Sequence, residues 1–148
     1  MPKYTDKFEE IDKSKIGEMA KSKKDTSARF INLHATTLGE DLFQLTYSFT
    51  TDGILTENYS VKVTSADAVP SISDTFMTAF FFENEIHDLF GINIEGIILD
   101  YKGDFYQVAL DRPMARPSTD EDMYSVNRKN DANTPVKDVD AVEKGGDE

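Results

Sequence analysis

The sequence predicts an α+β fold: an N-terminal helix, a three-stranded antiparallel meander covered by a long helix, and an extended C-terminal arm. Three observations carry this. Two consecutive runs of strict apolar/polar alternation are joined by short turn sequences. A longer run downstream places its apolar residues at helical spacing and ends on glycine. Beyond residue 110 the apolar periodicity stops.

The N-terminal helix rests on Phe8, Ile11, Ile16, Met19 and Ala20 at roughly helical spacing. Ser14 is placed as a cap, and the helix should run through Lys24 into the polar exit Lys21–Asp25. The meander begins with residues 28–37, where Phe30, Ile31, Leu33 and Ala35 give a moderately apolar strand. Residues 42–50 then alternate Phe43, Leu45, Tyr47 and Phe49 against Gln44, Thr46, Ser48 and Thr50. Residues 54–64 alternate Leu55, Tyr59, Val61 and Val63 against Thr56, Asn58, Ser60 and Lys62. Successive side chains of a strand point to opposite faces, so the pattern implies a sheet with one buried face and one wet face. Gly39-Glu40-Asp41 and Thr51-Asp52-Gly53 supply the hairpin turns.

The long helix is expected from Ser71 to about Phe90. Ser71 and Asp74 have the spacing of a capping box, with Asp in the place of the usual Glu. Ile72, Phe76, Ala79, Phe80, Ile86, Leu89 and Phe90 lie near one stripe, and Gly91 is a natural terminator with Ile92 folding back. After Gly96 the sequence suggests a short strand Ile97-Ile98-Leu99. A turn at Lys102-Gly103-Asp104 leads to a second possible strand, Phe105 to Leu110. The Arg112-Pro113 and Arg116-Pro117 pairs favour extended backbone.

Composition excludes several function classes. The 148-residue chain has no cysteine, so it has no disulfide, no cysteine nucleophile and no Cys-ligated iron–sulfur cluster or thiolate-bound nickel–iron site. The net charge is −12, and it is uneven. Residues 1–27 carry +1, whereas residues 28–110 hold only Arg29, Lys62 and Lys102 against twelve acids. Phosphate contacts need clustered Lys and Arg, so nucleic-acid binding is disfavoured; a basic protein partner is permitted. No stretch approaches the roughly 20 apolar residues of a membrane-spanning helix, and the first residues lack the apolar core of a secretory signal. These features predict a cytoplasmic chain with no direct membrane insertion.

The segment richest in information is Pro70 to Ile92, PSISDTFMTAFFFENEIHDLFGI. On a helix Glu83 and His87 are neighbours one turn apart, as are Asn84 and Asp88. Glu83 borders the apolar stripe, so its carboxylate needs a partner: His87, or a base from another chain. Glu85 and Asp88 fall in the last turn, where the helix dipole disfavours negative charge. Phe76, Phe80, Phe81 and Phe82 cover more than one helix face, which leaves Phe81 or Phe82 to face a partner. A metal site at Glu83, His87 and Asp88 lacks the usual i,i+3 Glu/His pairing, and His34 is the only other histidine. Stand-alone acid–base catalysis has no nucleophile motif, phosphate loop or dinucleotide fingerprint beside it.

The same segment resembles the signature region of the 30-kDa (C) subunit family of complex I. That family shows a Pro-Ser-hydrophobic stretch, an aromatic helix, and a closing Glu-Arg-Glu…Asp-hydrophobic-Phe-Gly-Ile motif. Here the closing motif reads Glu83-Asn84-Glu85-Ile86-His87-Asp88-Leu89-Phe90-Gly91-Ile92. Asn84 stands where Arg is usual. The Gly-His-Pro and Asp-Leu-Arg-Arg run that often follows is missing, since Ile94-Glu95-Gly96 leads straight into Ile97-Ile98-Leu99-Asp100. The short chain and the Ile-His-Asp-Leu-Phe-Gly wording look more like the counterpart in energy-converting membrane-bound nickel–iron hydrogenases.

The resemblance implies a non-catalytic structural and assembly subunit of the cytoplasmic arm. Its neighbours would be a large hydrogenase-like subunit and an iron–sulfur small subunit. Nickel–iron and iron–sulfur centres would sit in those partners, with no cofactor on this chain. The alternatives are the C subunit of a complex I-type quinone oxidoreductase and a free acidic adaptor. Residues 1–110 form the family-like domain on this reading, and 111–148 an extended, partly disordered acidic tail. The expected interface and structural residues are Glu83, Glu85, His87, Asp88, Phe90 and Gly91, with Arg112 and Arg116 anchoring an arm over the large subunit.

Overall fold

A computed structural model describes residues 3–115. Its centre is the expected meander: β2 (Arg29–Gly39), β3 (Leu42–Thr50) and β4 (Leu55–Val63), each antiparallel to the next. Phe43 pairs with Val63, Leu45 with Val61 and Tyr47 with Tyr59, so the alternating apolar residues of both strands share one face. The turns form as their residues dictate. Glu40-Asp41 makes a two-residue loop with Asp41 at φ 49°. The Asp52 carboxylate accepts the N–H groups of Ile54 and Leu55 at 2.8 and 2.9 Å, and Gly53 takes φ 78°.

The sheet has a fourth strand where helix was expected. Residues Thr5–Glu10 form β1, parallel to β4, and the order across the sheet is β1-β4-β3-β2. Only after a single 3₁₀ turn (Lys13–Lys15) does α1 run from Ile16 to Asp25. Asp12 caps the 3₁₀ turn, accepting the Ser14 N–H at 2.9 Å, while α1 starts from Lys15 with no side-chain cap, so Ser14 does not cap it. β1 is an edge strand exposed along its length, and Phe8 points to the outer face. Its sequence, TDKFEE, has no alternation that could announce it.

Both helices lie on the apolar face. Ile16, Met19 and Ala20 of α1, and Ala79, Phe80, Ile86 and Phe90 of α2 (Ala79–Phe90), join Phe30, Leu33, Phe43, Leu45, Tyr47, Phe49, Val61 and Val63 in one core. Its densest part is aromatic: Phe49 meets Phe76 at 5.3 Å and Phe30 at 5.6 Å, and Phe30 meets Phe82 edge-on at 5.7 Å. Lys23 of α1 is tied to β4 by an ion pair with Glu57 at 2.7 Å and lies over the Tyr59 ring.

The outer face is drier than alternation suggests. Thr46, Ser48, Thr50 and Asn58 are buried on it, because small side chains in mid-sheet are shaded by longer neighbours. Ser48 donates to Asn58 at 2.7 Å. A bulge between Phe30 and Asn32 leaves Ile31 exposed at one rim of this shallow trough, with Phe8 at the other.

The long helix is shorter than expected. β5 (Ala68–Pro70) leads into a turn closed by Phe76 N–H to the Ile72 carbonyl at 2.8 Å, and α2 starts only at Ala79. The reciprocal capping box does not form: Ser71 Oγ accepts the Ser73 N–H at 3.0 Å, but the Ser71 N–H donates to the Glu95 carbonyl at 2.8 Å and the Asp74 carboxylate takes the Thr75 hydroxyl. Gly91 ends α2 as expected, at φ 72°, its N–H donating to the His87 carbonyl. β6 (Asn93–Glu95) then pairs parallel to β5, so α2 is the crossover of a small β-α-β unit. The strands expected at 97–99 and 105–110 are instead irregular loop.

A candidate structural and docking site on the second helix

Burial sorts the polar residues of the motif. Glu83 and Asn84 are each 1 % exposed and Asp88 7 %, whereas Glu85 and His87 are half-buried. Each of the three buried groups is spent on a loop.

Glu83 reaches back to the segment before α2. Its Oε1 accepts the Ile72 N–H at 2.8 Å, and its Oε2 accepts the Ser71 hydroxyl at 2.6 Å. Ser71 Oγ lies 2.6 Å from Ser73 Oγ, which accepts the Ile98 N–H at 2.9 Å. A hydrogen-bonded chain therefore runs from residue 98 through Ser73 and Ser71 to the carboxylate, each link polarising the next. Within the chain, these groups and not the expected His87 are what Glu83 meets. Burial pushes the Glu83 carboxyl above its ordinary range, against the bonds from Ser71 and Ile72 that lower it. Burial, with Glu83 nearby, also pushes the Tyr47 phenol up.

Asn84 and Asp88 hold the loop that follows β6. Asn84 Nδ2 donates to the Phe80 and Leu99 carbonyls at 2.7 and 2.8 Å, and its Oδ1 accepts the Tyr101 N–H at 2.9 Å. The Leu99 carbonyl and the Tyr101 N–H thus find their partner in one side chain of α2. Asp88 Oδ2 accepts the Tyr106 N–H at 2.8 Å, and Oδ1 lies 3.3 Å from His87 Nδ1. Glu85 accepts the Tyr106 hydroxyl at 2.8 Å. The acids tolerated in the last turn thus take N–H and O–H donors from the facing loop.

Phe90 is buried and meets Phe43 edge-on at 6.2 Å. The Arg112 side chain lies across Gly91, where a Cβ would collide with it. Arg112 has φ 49° and sits in a turn, contrary to the extended backbone its following proline favours. Met114 donates its N–H to the Leu89 carbonyl at 2.8 Å, and its carbonyl accepts the Thr37 hydroxyl at 2.6 Å. The first residues of the expected arm therefore lie against their own α2 and β2. Arg116 and the rest of the tail lie outside the described residues.

Among the described residues, no group of three or more His, Cys, Asp or Glu side chains is placed to hold a metal ion. No described helix is long and apolar enough to cross a membrane. What the motif builds is a set of struts.

Residues 9–98 match the model of the family described as the respiratory-chain NADH dehydrogenase 30-kDa subunit. The chain belongs to this family. As a member of the 30-kDa-subunit family it is a subunit of an oxidoreductase complex. A search of curated proteins finds no match. Among solved structures, the chain is similar to one from the membrane-bound sulfane sulfur reductase, an archaeal respiratory membrane complex. The TM-score is 0.61 and the identity 17 %, over 78 % of this chain and 69 % of that one. At that identity the likeness is one of fold.

Sequence reasoning identified the family and the residues of its motif, but missed Ser71, Ser73 and Tyr106 as their partners. The dense serines before the helix were the available signal. Along the chain they spell a cap, because a cap needs only neighbouring residues, whereas the Glu83 carboxylate reaches them from another element.

Proposed function

We propose that this chain is the non-catalytic structural and assembly subunit of the cytoplasmic arm of an energy-converting membrane-bound nickel–iron hydrogenase. It carries no cofactor of its own. It stands beside a large hydrogenase-like subunit and an iron–sulfur small subunit, which hold the metal centres, and it is peripheral to the membrane through them. The observation that carries the scaffold role is the inward use of the motif. Glu83, Asn84 and Asp88 are consumed in fixing two loops to α2, which yields a stiff body. The hydrogenase branch is supported by the Ile86-His87-Asp88-Leu89-Phe90-Gly91 wording and by Ile94-Glu95-Gly96 running directly into Ile97.

A second reading, the corresponding subunit of a quinone-reducing complex I relative, is favoured by the description of the matching family. Purifying the tagged chain from gently solubilised membranes and measuring nickel and iron in what accompanies it separates the two. Stoichiometric nickel with a large subunit supports the hydrogenase. Iron–sulfur subunits without nickel transfer the assignment to the quinone-reducing complex. A chain recovered alone from the soluble fraction ends both readings and leaves the acidic adaptor.

A further inference from the structure

Phe81 is the aromatic of α2 that the core does not use; the residue is 51 % exposed. It stacks on Phe80 at 4.0 Å and approaches Phe105 at 6.3 Å. Phe105 in turn lies edge-on to Tyr101 at 5.1 Å and to Tyr106 at 5.0 Å. Phe81, Leu99, Tyr101 and Tyr106 are all exposed, so the rings and a leucine form one outward surface. The loop that carries them is anchored by Asn84 at Leu99 and Tyr101 and by Asp88 and Glu85 at Tyr106. The rings are thus held in place before any partner arrives, which lowers the ordering cost of binding.

The surface has a sign. Glu85, Asp100 and Asp104 belong to the same stretch, and Lys102 is its only lysine or arginine between residues 80 and 106. Fixed aromatic faces flanked by carboxylates suit one side chain above others. A guanidinium stacks flat on Tyr and Phe rings, and carboxylates accept its forked N–H groups. Lysine would use the charge but not the flat faces. A phosphate-bearing ligand or an anionic membrane would be repelled.

We propose that this aromatic and acidic platform docks an arginine-bearing segment of a neighbouring protein subunit. The inference rests on the reading of the chain as a complex subunit and adds where one neighbour binds and by what chemistry. Aromatic and arginine anchors dominate the energetics of such contacts, so loss of one ring should weaken the contact by about 10-fold or more.

The test places a photo-cross-linking benzoylphenylalanine at position 81 of the full chain, expressed in its native host, and maps cross-linked peptides in the membrane-extracted complex. A peptide of another subunit with arginine at or next to the cross-linked residue is expected. Phe81→Ser should lower recovery of that subunit about 10-fold while its melting temperature stays near that of the parent chain; Phe8→Ser should leave recovery unchanged. Cross-links to residues 116–148 of the chain itself, to a second copy, to lipid, or to a segment without arginine overturn the proposal. So does undiminished recovery of the Phe81→Ser variant. If the chain enters a membrane complex but position 81 cross-links to no subunit, this inference alone fails. If it enters none, the subunit reading fails as well.

Discussion

The two halves of this molecule are held together by different means. In the meander, β2, β3 and β4 are joined by backbone pairing, and the side chains contribute an apolar face that needs only to be apolar and of suitable volume. Around α2, the flanking segments 71–78 and 96–115 have little regular pairing of their own. They are held by Glu83, Asn84 and Asp88, each with two or three specific donors or acceptors. The first half should therefore fail globally and gradually under mutation, and the second locally and sharply. A buried polar group that loses its partner retains its desolvation cost.

The largest effect is expected in the meander. Phe49 contacts Phe30, Tyr59 and Phe76, so Phe49→Ala should cost about 4 kcal/mol in urea unfolding. The loss should be the same by near-UV and far-UV circular dichroism. Divergent transitions would show that the two halves are separable.

Next is Glu83. Glu83→Ala strands the Ser71 hydroxyl and the Ile72 N–H and should cost about 3 kcal/mol. Glu83→Gln retains an acceptor for Ile72 and should stay close to the parent chain at neutral pH. Their pH dependence should differ in sign from that of an ordinary ion-paired acid. Because the folded carboxyl holds its proton more tightly than the ordinary value of 4.5, its stabilising contribution is fully present below pH 4.5 and is lost as pH rises through the raised folded value. The stability of the parent minus that of Glu83→Gln should therefore decline from acid towards neutral pH. A flat or rising difference would refute the burial argument.

Asn84→Ala should cost about 2 kcal/mol and act locally. Amide exchange should accelerate at Tyr101 and Tyr106 while the β3–β4 amides remain protected; acceleration in both would erase the contrast. The smallest effect is at Gly91, whose φ of 72° is unfavourable for any residue with a Cβ. Gly91→Ala should cost about 1 kcal/mol, with the Arg112 side chain swinging aside. A thermal scan showing no change would mean that the helix end is free to re-form.

The contrast also explains what could be read in advance. The alternation of Phe43, Leu45, Tyr47 and Phe49 encodes the buried face of β3 directly, since a strand needs only period-two order to know its inside. Gly91 announced a left-handed helix end by the same local logic. Where β1 ran, TDKFEE offered one apolar residue, and that one faces outward. Ile31 looked like a core residue, but a bulge that depends on pairing with β3 leaves it on the surface.

The sequence by itself determined the meander, its turns, the end of α2 and the family motif, because each is written in neighbouring residues or in fixed spacing along one element. Tertiary structure decided the rest: the parallel docking of β1, the late start of α2, and above all the partners of Glu83, Asn84 and Asp88. Apart from the Phe80 carbonyl and His87 on α2 itself, those partners lie 11 to 18 residues away and on other segments. A buried polar side chain takes the donors that chain packing brings within about 3 Å of it, and no local pattern specifies which those will be.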